Sequence, residues 1–301
     1  MKLLVLVLLI VLYLYSEEPI TPIPKTIKVD KLKSLLGKEL FFDKRLSKNN
    51  TISCFSCHDI YNGGTDNLKV STGIYGQQGT INSPTVLNSV FNFKQFWNGR
   101  SDSLSHQAAG PIKDKLEMGN DFPELIEKLN KTSYYTKFKE IYKDGITKKN
   151  ITDSIAEFEK TLITPNSPFD NFLNGDIEAI SEKQKKGYEL FKTIGCISCH
   201  HGVNIGGNHY NKFGVMNDVK SFRKGRFEVT KKIEDKYYFK VPTLRNIEQT
   251  SPYLHDGRFK NLEDVVNFMA NYQLGRNISK NDIELIVEFL NSLTAKIPKG
   301  I

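Results

Sequence analysis

The chain has 301 residues, enough for about two domains of ~150 residues each. Its composition is ordinary, with no low-complexity tract, which excludes a fibrous or disordered protein. The formal net charge is +8 at pH 7, with lysines scattered as pairs at 148–149, 185–186 and 231–232; this excludes a nucleic-acid groove and favours a partner with an acidic face.

Residues 1–16 carry Lys2 and then an apolar run from Leu3 to Tyr15, followed by Glu17-Glu18-Pro19. That run is short for a membrane span and right for the apolar region of a signal peptide. Ser16 is the last residue of such a leader; because no A-x-A site is present, an uncleaved N-terminal anchor is the other reading. Both export the chain, which places it in the periplasm.

Cys54-Phe55-Ser56-Cys57-His58 comes next, and the pattern returns as Cys196-Ile197-Ser198-Cys199-His200, so that the two copies use every cysteine. C-x-x-C-H is the attachment signature of a c-type haem: two thiols add to two vinyl groups and the adjacent imidazole reaches the iron. Two C-x-x-C pairs could supply the four ligands of a zinc site, but zinc does not require a histidine directly after each pair. A thioredoxin-like redox pair belongs in an alternating strand and helix pattern, which is absent around both motifs. Two covalently bound haem c groups are the strong inference, and electron transfer or redox catalysis frames the rest.

Around each motif the sequence repeats. Gly37-Lys38-Glu39-Leu40-Phe41 precedes the first motif and Gly187-Tyr188-Glu189-Leu190-Phe191 precedes the second. Well after them come Ile155-Ala156-Glu157-Phe158-Glu159-Lys160-Thr161-Leu162 and Ile286-Val287-Glu288-Phe289-Leu290-Asn291-Ser292-Leu293. Both late segments read as amphipathic helices, with Ile155, Phe158 and Leu162 on one stripe and Ile286, Phe289 and Leu293 on the other. Asp153 and Asp282 are expected near the helix starts, where a carboxylate is favourable. Each half thus runs helix, haem motif, long middle, helix, and resembles a cytochrome c domain. The expected fold is mainly α, with two cytochrome c-like domains each around one covalent haem. Thr164-Pro165-Asn166-Ser167-Pro168 stops the preceding helix and sets the boundary, giving domains 17–165 and 166–301. Lys236 to Val241 is expected to pair briefly as a hairpin.

His58 and His200 supply one iron ligand each. For the sixth positions the exported chain offers Met118, Met216, Met269, His106, His201, His209 and His255, and spacing alone does not choose among them. Met269 lies shortly before the last helix, where a cytochrome c domain usually presents its methionine.

Gln95-Phe96-Trp97-Asn98-Gly99-Arg100, Gln107-Ala108-Ala109-Gly110-Pro111, Glu117-Met118, Val241-Pro242-Thr243-Leu244-Arg245-Asn246 and Pro252-Tyr253-Leu254-His255-Asp256-Gly257 complete a pattern that resembles the bacterial dihaem cytochrome c peroxidases. The resemblance runs through nearly all of the exported chain. It implies that electrons from a small redox protein, a cytochrome c or a cupredoxin, enter at the C-terminal haem, ligated by His200 and Met269; methionine raises that haem's potential. Hydrogen peroxide is then cleaved at the N-terminal haem, held by Cys54, Cys57 and His58. Glu117 matches the acid and base that moves a proton between the peroxide oxygens, Gln107 the amide that orients peroxide, and Trp97 an electron bridge between the haems. The resemblance also implies a calcium ion between the domains, with oxygens from Asn82, Thr250 and Pro252 as ligands. Such proteins commonly form homodimers, although this sequence marks no interface.

One departure stands out. Many relatives place a second histidine, which blocks the peroxidatic iron, at the position of Ile74 here. Isoleucine does not ligate iron, so the N-terminal site is expected to rest open and to react without prior reduction, unless Tyr75 or His106 substitutes. Three competing readings remain. A dihaem electron carrier would have both irons fully ligated and no turnover. A methylamine-dehydrogenase maturation enzyme would use a tyrosine such as Tyr272 in place of Met269. A peroxide sensor would leave Glu117, Gln107 and Trp97 without a purpose.

Overall fold

The computed structural model describes residues 18–297, so the leader at 1–16 lies outside the described residues. The helices are α1 (Lys31–Phe42), α2 (Leu104–Lys113), α3 (Phe122–Asn130), α4 (Tyr134–Ile141), α5 (Lys148–Glu159), α6 (Pro168–Leu173), α7 (Glu182–Ile194), α8 (Phe227–Thr230), α9 (Leu262–Leu274) and α10 (Lys280–Asn291). Side-chain caps start the helices that matter most. Asp30 accepts from two N–H groups at the head of α1, Thr147 caps α5, Ser181 and Gln184 form a capping box on α7, and Ser279 caps α10.

The repeat in the sequence is a packing device. A Cβ on Gly37 of α1 would lie 1.8 Å from the Ser154 carbonyl oxygen of α5, and one on Gly187 of α7 would lie 1.9 Å from that of Leu285 in α10. The two helices of each pair therefore cross backbone to backbone, which only glycine permits. At each crossing one phenylalanine, Phe158 or Phe289, fills the space beneath the glycine. Leu40 and Phe41 are buried against α5 as Tyr188 and Phe191 are against α10. One apolar core joins α1, α2, α3, α4 and α5; another joins α6, α7, α9 and α10.

The long middles repeat too. Asn88 and Asn246 both adopt left-handed backbone, at φ 58° and 57°, and donate their N–H groups to Leu162 O and Leu293 O at 2.8 and 3.2 Å. Phe96 and Gly99 match Leu254 and Gly257 in positive φ, inside the antiparallel bridges Gln95–Ser101 and Tyr253–Phe259. In this register Trp97 is the counterpart of His255, and the two rings meet edge to face 6.1 Å apart.

Two expectations are corrected. Asp153 lies in the middle of α5 rather than at its start, where it pairs with Lys33 Nζ at 2.8 Å and accepts from the Tyr142 hydroxyl. Lys236 to Val241 does not fold back on itself: β2 (Tyr238–Lys240) pairs antiparallel with the distant β1 (Tyr210–Lys212). An isolated short hairpin has no second layer to bury its face, whereas this pairing closes a long loop across the haem side of the second half. In the boundary segment Thr164, Pro165 and Ser167 are buried, while Asn166 and Pro168 are exposed. Thr164 is tied to Asn88 and Asn246 through its hydroxyl, and Ser167 caps α6.

Candidate haem and peroxide site

In the first half a cavity of about 380 Å³ opens above the turn Cys54–Ser56. Cys54, Cys57 and His58 line it from that turn, Gln107 from α2, Glu117 from the turn that follows α2, and Trp97, Asn82 and Arg100 from the middle segment. Its volume falls in the usual range of ligand sites. Three of the four buried side-chain polar atoms without a partner among the described residues, Ser89 Oγ, Glu159 Oε2 and Arg223 Nε, belong to residues of its wall. Such groups are costly to leave unpaired, so the cavity is shaped for a partly polar occupant.

The haem motifs are set alike. His58 Nδ1 lies 3.2 Å from Gly64 O and His200 Nδ1 lies 3.2 Å from Ile205 O. A carbonyl at Nδ1 makes that nitrogen the donor and leaves Nε2 for a metal. Burial holds both imidazoles neutral, His58 below its usual range and His200 at about 4. All four cysteines are free thiols, and burial pushes Cys57 and Cys196 up to about 11 and Cys54 higher still. Two free thiols beside one neutral imidazole, on one turn, fit a thioether-bound haem in each half.

Glu117 is pushed up to about 7, first by burial and then by Asp114, with Arg100 pulling the other way. A buried carboxyl balanced near neutrality in the cavity wall both takes and returns a proton. Its backbone is pinned, because Ile74 N–H donates to Glu117 O at 2.8 Å and a Cβ on Gly73 would lie 1.9 Å from Leu116 O. Ile74 itself is buried, with its side chain against Gly119. Tyr75 and His106, the suggested substitutes for the missing histidine, are both exposed and outside the cavity wall.

The other candidate ligands separate. Met118 is buried in the first core, and Met216 is 60% exposed. His255 stacks on Phe239 at 4.3 Å, with Ser221 Oγ 2.9 Å from its Nε2, while His201 and His209 stack on each other. Met269 is half-buried on α9. That helix is tied to β1 by Gln273 Nε2 donating to Lys212 O at 3.0 Å, and Asn211 of β1 donates to Cys199 Sγ at 3.0 Å. The methionine helix and the second haem turn are thus joined through one strand.

Trp97 touches both halves. Its indole N–H donates to Asn82 O at 2.9 Å, and its own carbonyl accepts from Lys240 N–H at 2.8 Å. Asn82 donates its backbone N–H to His255 O and its amide N–H to Leu68 O, which leaves the amide oxygen for a cation. Thr250 and Pro252 lie on the segment leading to His255, and with Asn82 they offer only hard oxygens. Arg100, Arg223, Glu228, Ser89 and Glu159 also line the cavity, and no role for them was read from the sequence. For Arg223 and Glu228 no local signal existed, since the long loop of the second half carries them over the first half. For Glu159 the internal repeat offered only its alignment with Leu290, and Ser89 lies outside the repeated sequence segments.

A family model described as di-haem cytochrome c peroxidase matches residues 31–178. The cytochrome c551 peroxidase of Nitrosomonas europaea is 46% identical over 94% of this chain and 86% of its own. The cytochrome c peroxidase Ccp of Escherichia coli (strain K12) is 46% identical over 93% of this chain, which spans 62% of the length of that relative. A crystal structure of a MauG-like protein associated with microbial copper homeostasis shares the fold, with a TM-score of 0.80 at 24% identity over 96% of this chain and 97% of that one.

Proposed function

The chain belongs to the di-haem cytochrome c peroxidase family, and from that membership we propose that it reduces hydrogen peroxide to water in the periplasm with electrons from a small redox protein. The observation that carries the reading is Glu117, a carboxyl held near neutrality in a cavity that also contains Gln107 and the Cys54–His58 haem turn.

Cys54, Cys57 and His58 would hold one haem, and Cys196, Cys199, His200 and Met269 the other. When bound, the haems supply the electrons' path and the iron chemistry. The chain's own residues do the rest. Gln107 presents its amide to peroxide. Glu117, as carboxylate, takes the proton of the nearer oxygen and returns it to the farther one, which leaves as water. Trp97 spans the seam between the halves and is the bridge for electrons. A calcium ion on Asn82, Thr250 and Pro252 would stiffen that seam. Ile74 puts hydrocarbon where a ligand would close the site, so the resting oxidised protein is open to peroxide.

Stopped-flow mixing of fully oxidised and half-reduced protein with peroxide tests this. Equal reactivity of the two is expected, and Ile74→His should make the oxidised form slow until the second haem is reduced. Two low-spin haems that ignore peroxide would instead show an electron carrier.

A further inference from the structure

Reducing one peroxide to two waters consumes two protons, whereas the Glu117 step only moves a proton between the two oxygens. The supply has to come from elsewhere in the cavity, and comparison of the two halves locates it. Asn88 and Leu162 are joined in the first half as Asn246 and Leu293 are in the second, and Phe158 and Phe289 lie under Gly37 and Gly187. This register makes Glu159 the counterpart of Leu290 and Ser89 the counterpart of Ile247. Two positions that hold hydrocarbon in the second half hold a carboxyl and a hydroxyl in the first.

Both residues line the N-terminal cavity, and each is only 5% exposed. Glu159 Oε2 and Ser89 Oγ have no hydrogen-bond partner among the described residues. A buried carboxyl without a partner is destabilising, and Leu290 shows that the scaffold accepts hydrocarbon at this point. Burial alone pushes Glu159 up to about 8, so it is the carboxylic acid at neutral pH. The titratable and charged groups lining the same cavity are Cys54, Cys57 and His58 on the haem turn, and Arg100, Asp114, Glu117, Arg223 and Glu228 beyond it. Neither α1 nor α2 adds a charged side chain to the wall.

We propose that Glu159, with Ser89, is a proton-loading site of the N-terminal haem cavity. The O–H bond of Glu159 breaks, and the proton passes by way of a water held at Ser89 Oγ to the oxygen being reduced. The carboxylate left behind is reprotonated from solvent, and the donor protein supplies the electrons. The use of the proton rests on the peroxidase reading; its storage does not.

Two measurements on the haem-loaded protein test the site. Infrared difference spectra between oxidised and reduced forms should show a carboxylic-acid carbonyl band that shifts in D2O and is lost in both Glu159→Gln and Glu159→Leu. In turnover, both variants should lose about tenfold or more in kcat with KM for peroxide unchanged and a larger solvent isotope effect, as expected of a lost proton donor. Ser89→Ala should lose less. Cyanide should bind all variants at the wild-type rate. Glu159→Leu should also melt higher than wild type at pH 8. The native acid is held protonated far above the ordinary carboxylate value of about 4.3, which lowers folded stability as pH rises from there to about 8. Absence of a Glu159-dependent acid band, or full turnover in Glu159→Leu, overturns the proposal. A protein that shows the band yet never reduces peroxide overturns the peroxidase reading and leaves the storage site standing.

Discussion

The two halves are built on one scaffold and differ where chemistry is expected. Each crosses its first and last helix at a glycine, sets a histidine by a carbonyl at Nδ1, and turns its long middle at a left-handed asparagine. On that shared frame the first half places Glu117, Gln107, Glu159 and Ser89 around a cavity. The second half puts Leu290 and Ile247 at the two matching positions and carries Met269 on a helix tied to its haem turn. The same backbone packing recurs in both halves, and a handful of side chains makes the surroundings of the first haem motif polar where the second half has hydrocarbon.

Removing the acid of the open half is the strongest way to break this contrast. Glu117→Gln should lower kcat/KM for peroxide by about 10²–10⁴, the usual worth of a positioned acid and base, without altering the spectrum of the C-terminal haem. Because the wild-type carboxyl accepts a proton only when ionised, the wild-type rate should climb as pH rises through about 7, and the variant should lack that limb.

The shared frame can be probed separately. Gly37→Ala and Gly187→Ala force a methyl group against a carbonyl at equivalent crossings, and each should cost ~1–3 kcal/mol in chemical unfolding. A marked inequality between them would show that the halves are less alike in packing than in sequence. The smallest effect is expected at the seam. At the proposed calcium site a chelator should lower the melting temperature by a few degrees at most and slow electron passage between the haems, with peroxide binding unchanged; Asn82→Ala should abolish the response to chelator.

Much of this was legible in the chain itself. The two C-x-x-C-H motifs name the cofactor because attachment chemistry fixes two cysteines and a histidine within five adjacent residues. The glycine and phenylalanine repeats reveal two helix crossings because apolar periodicity is local. Other features were not legible. Asp153 looked like a carboxylate near a helix start and is a mid-helix partner of Lys33. The strand Tyr238–Lys240 looked like part of a hairpin and pairs with residues far away. Glu159 looked like one more charge on an amphipathic helix, since its stripe alone does not say which polar residue points inward.

The sequence by itself determined two haem sites on a doubled helical frame, because covalent attachment and helix packing are written in short spacings. Only the tertiary structure decided that Arg223 and Glu228 of one half wall the cavity of the other, that Trp97 meets His255 across the seam, and that Glu159 faces inward without a partner. Those facts depend on loops brought together over long separations and on burial, which raises a carboxyl's pKa in a way that no residue's identity can state.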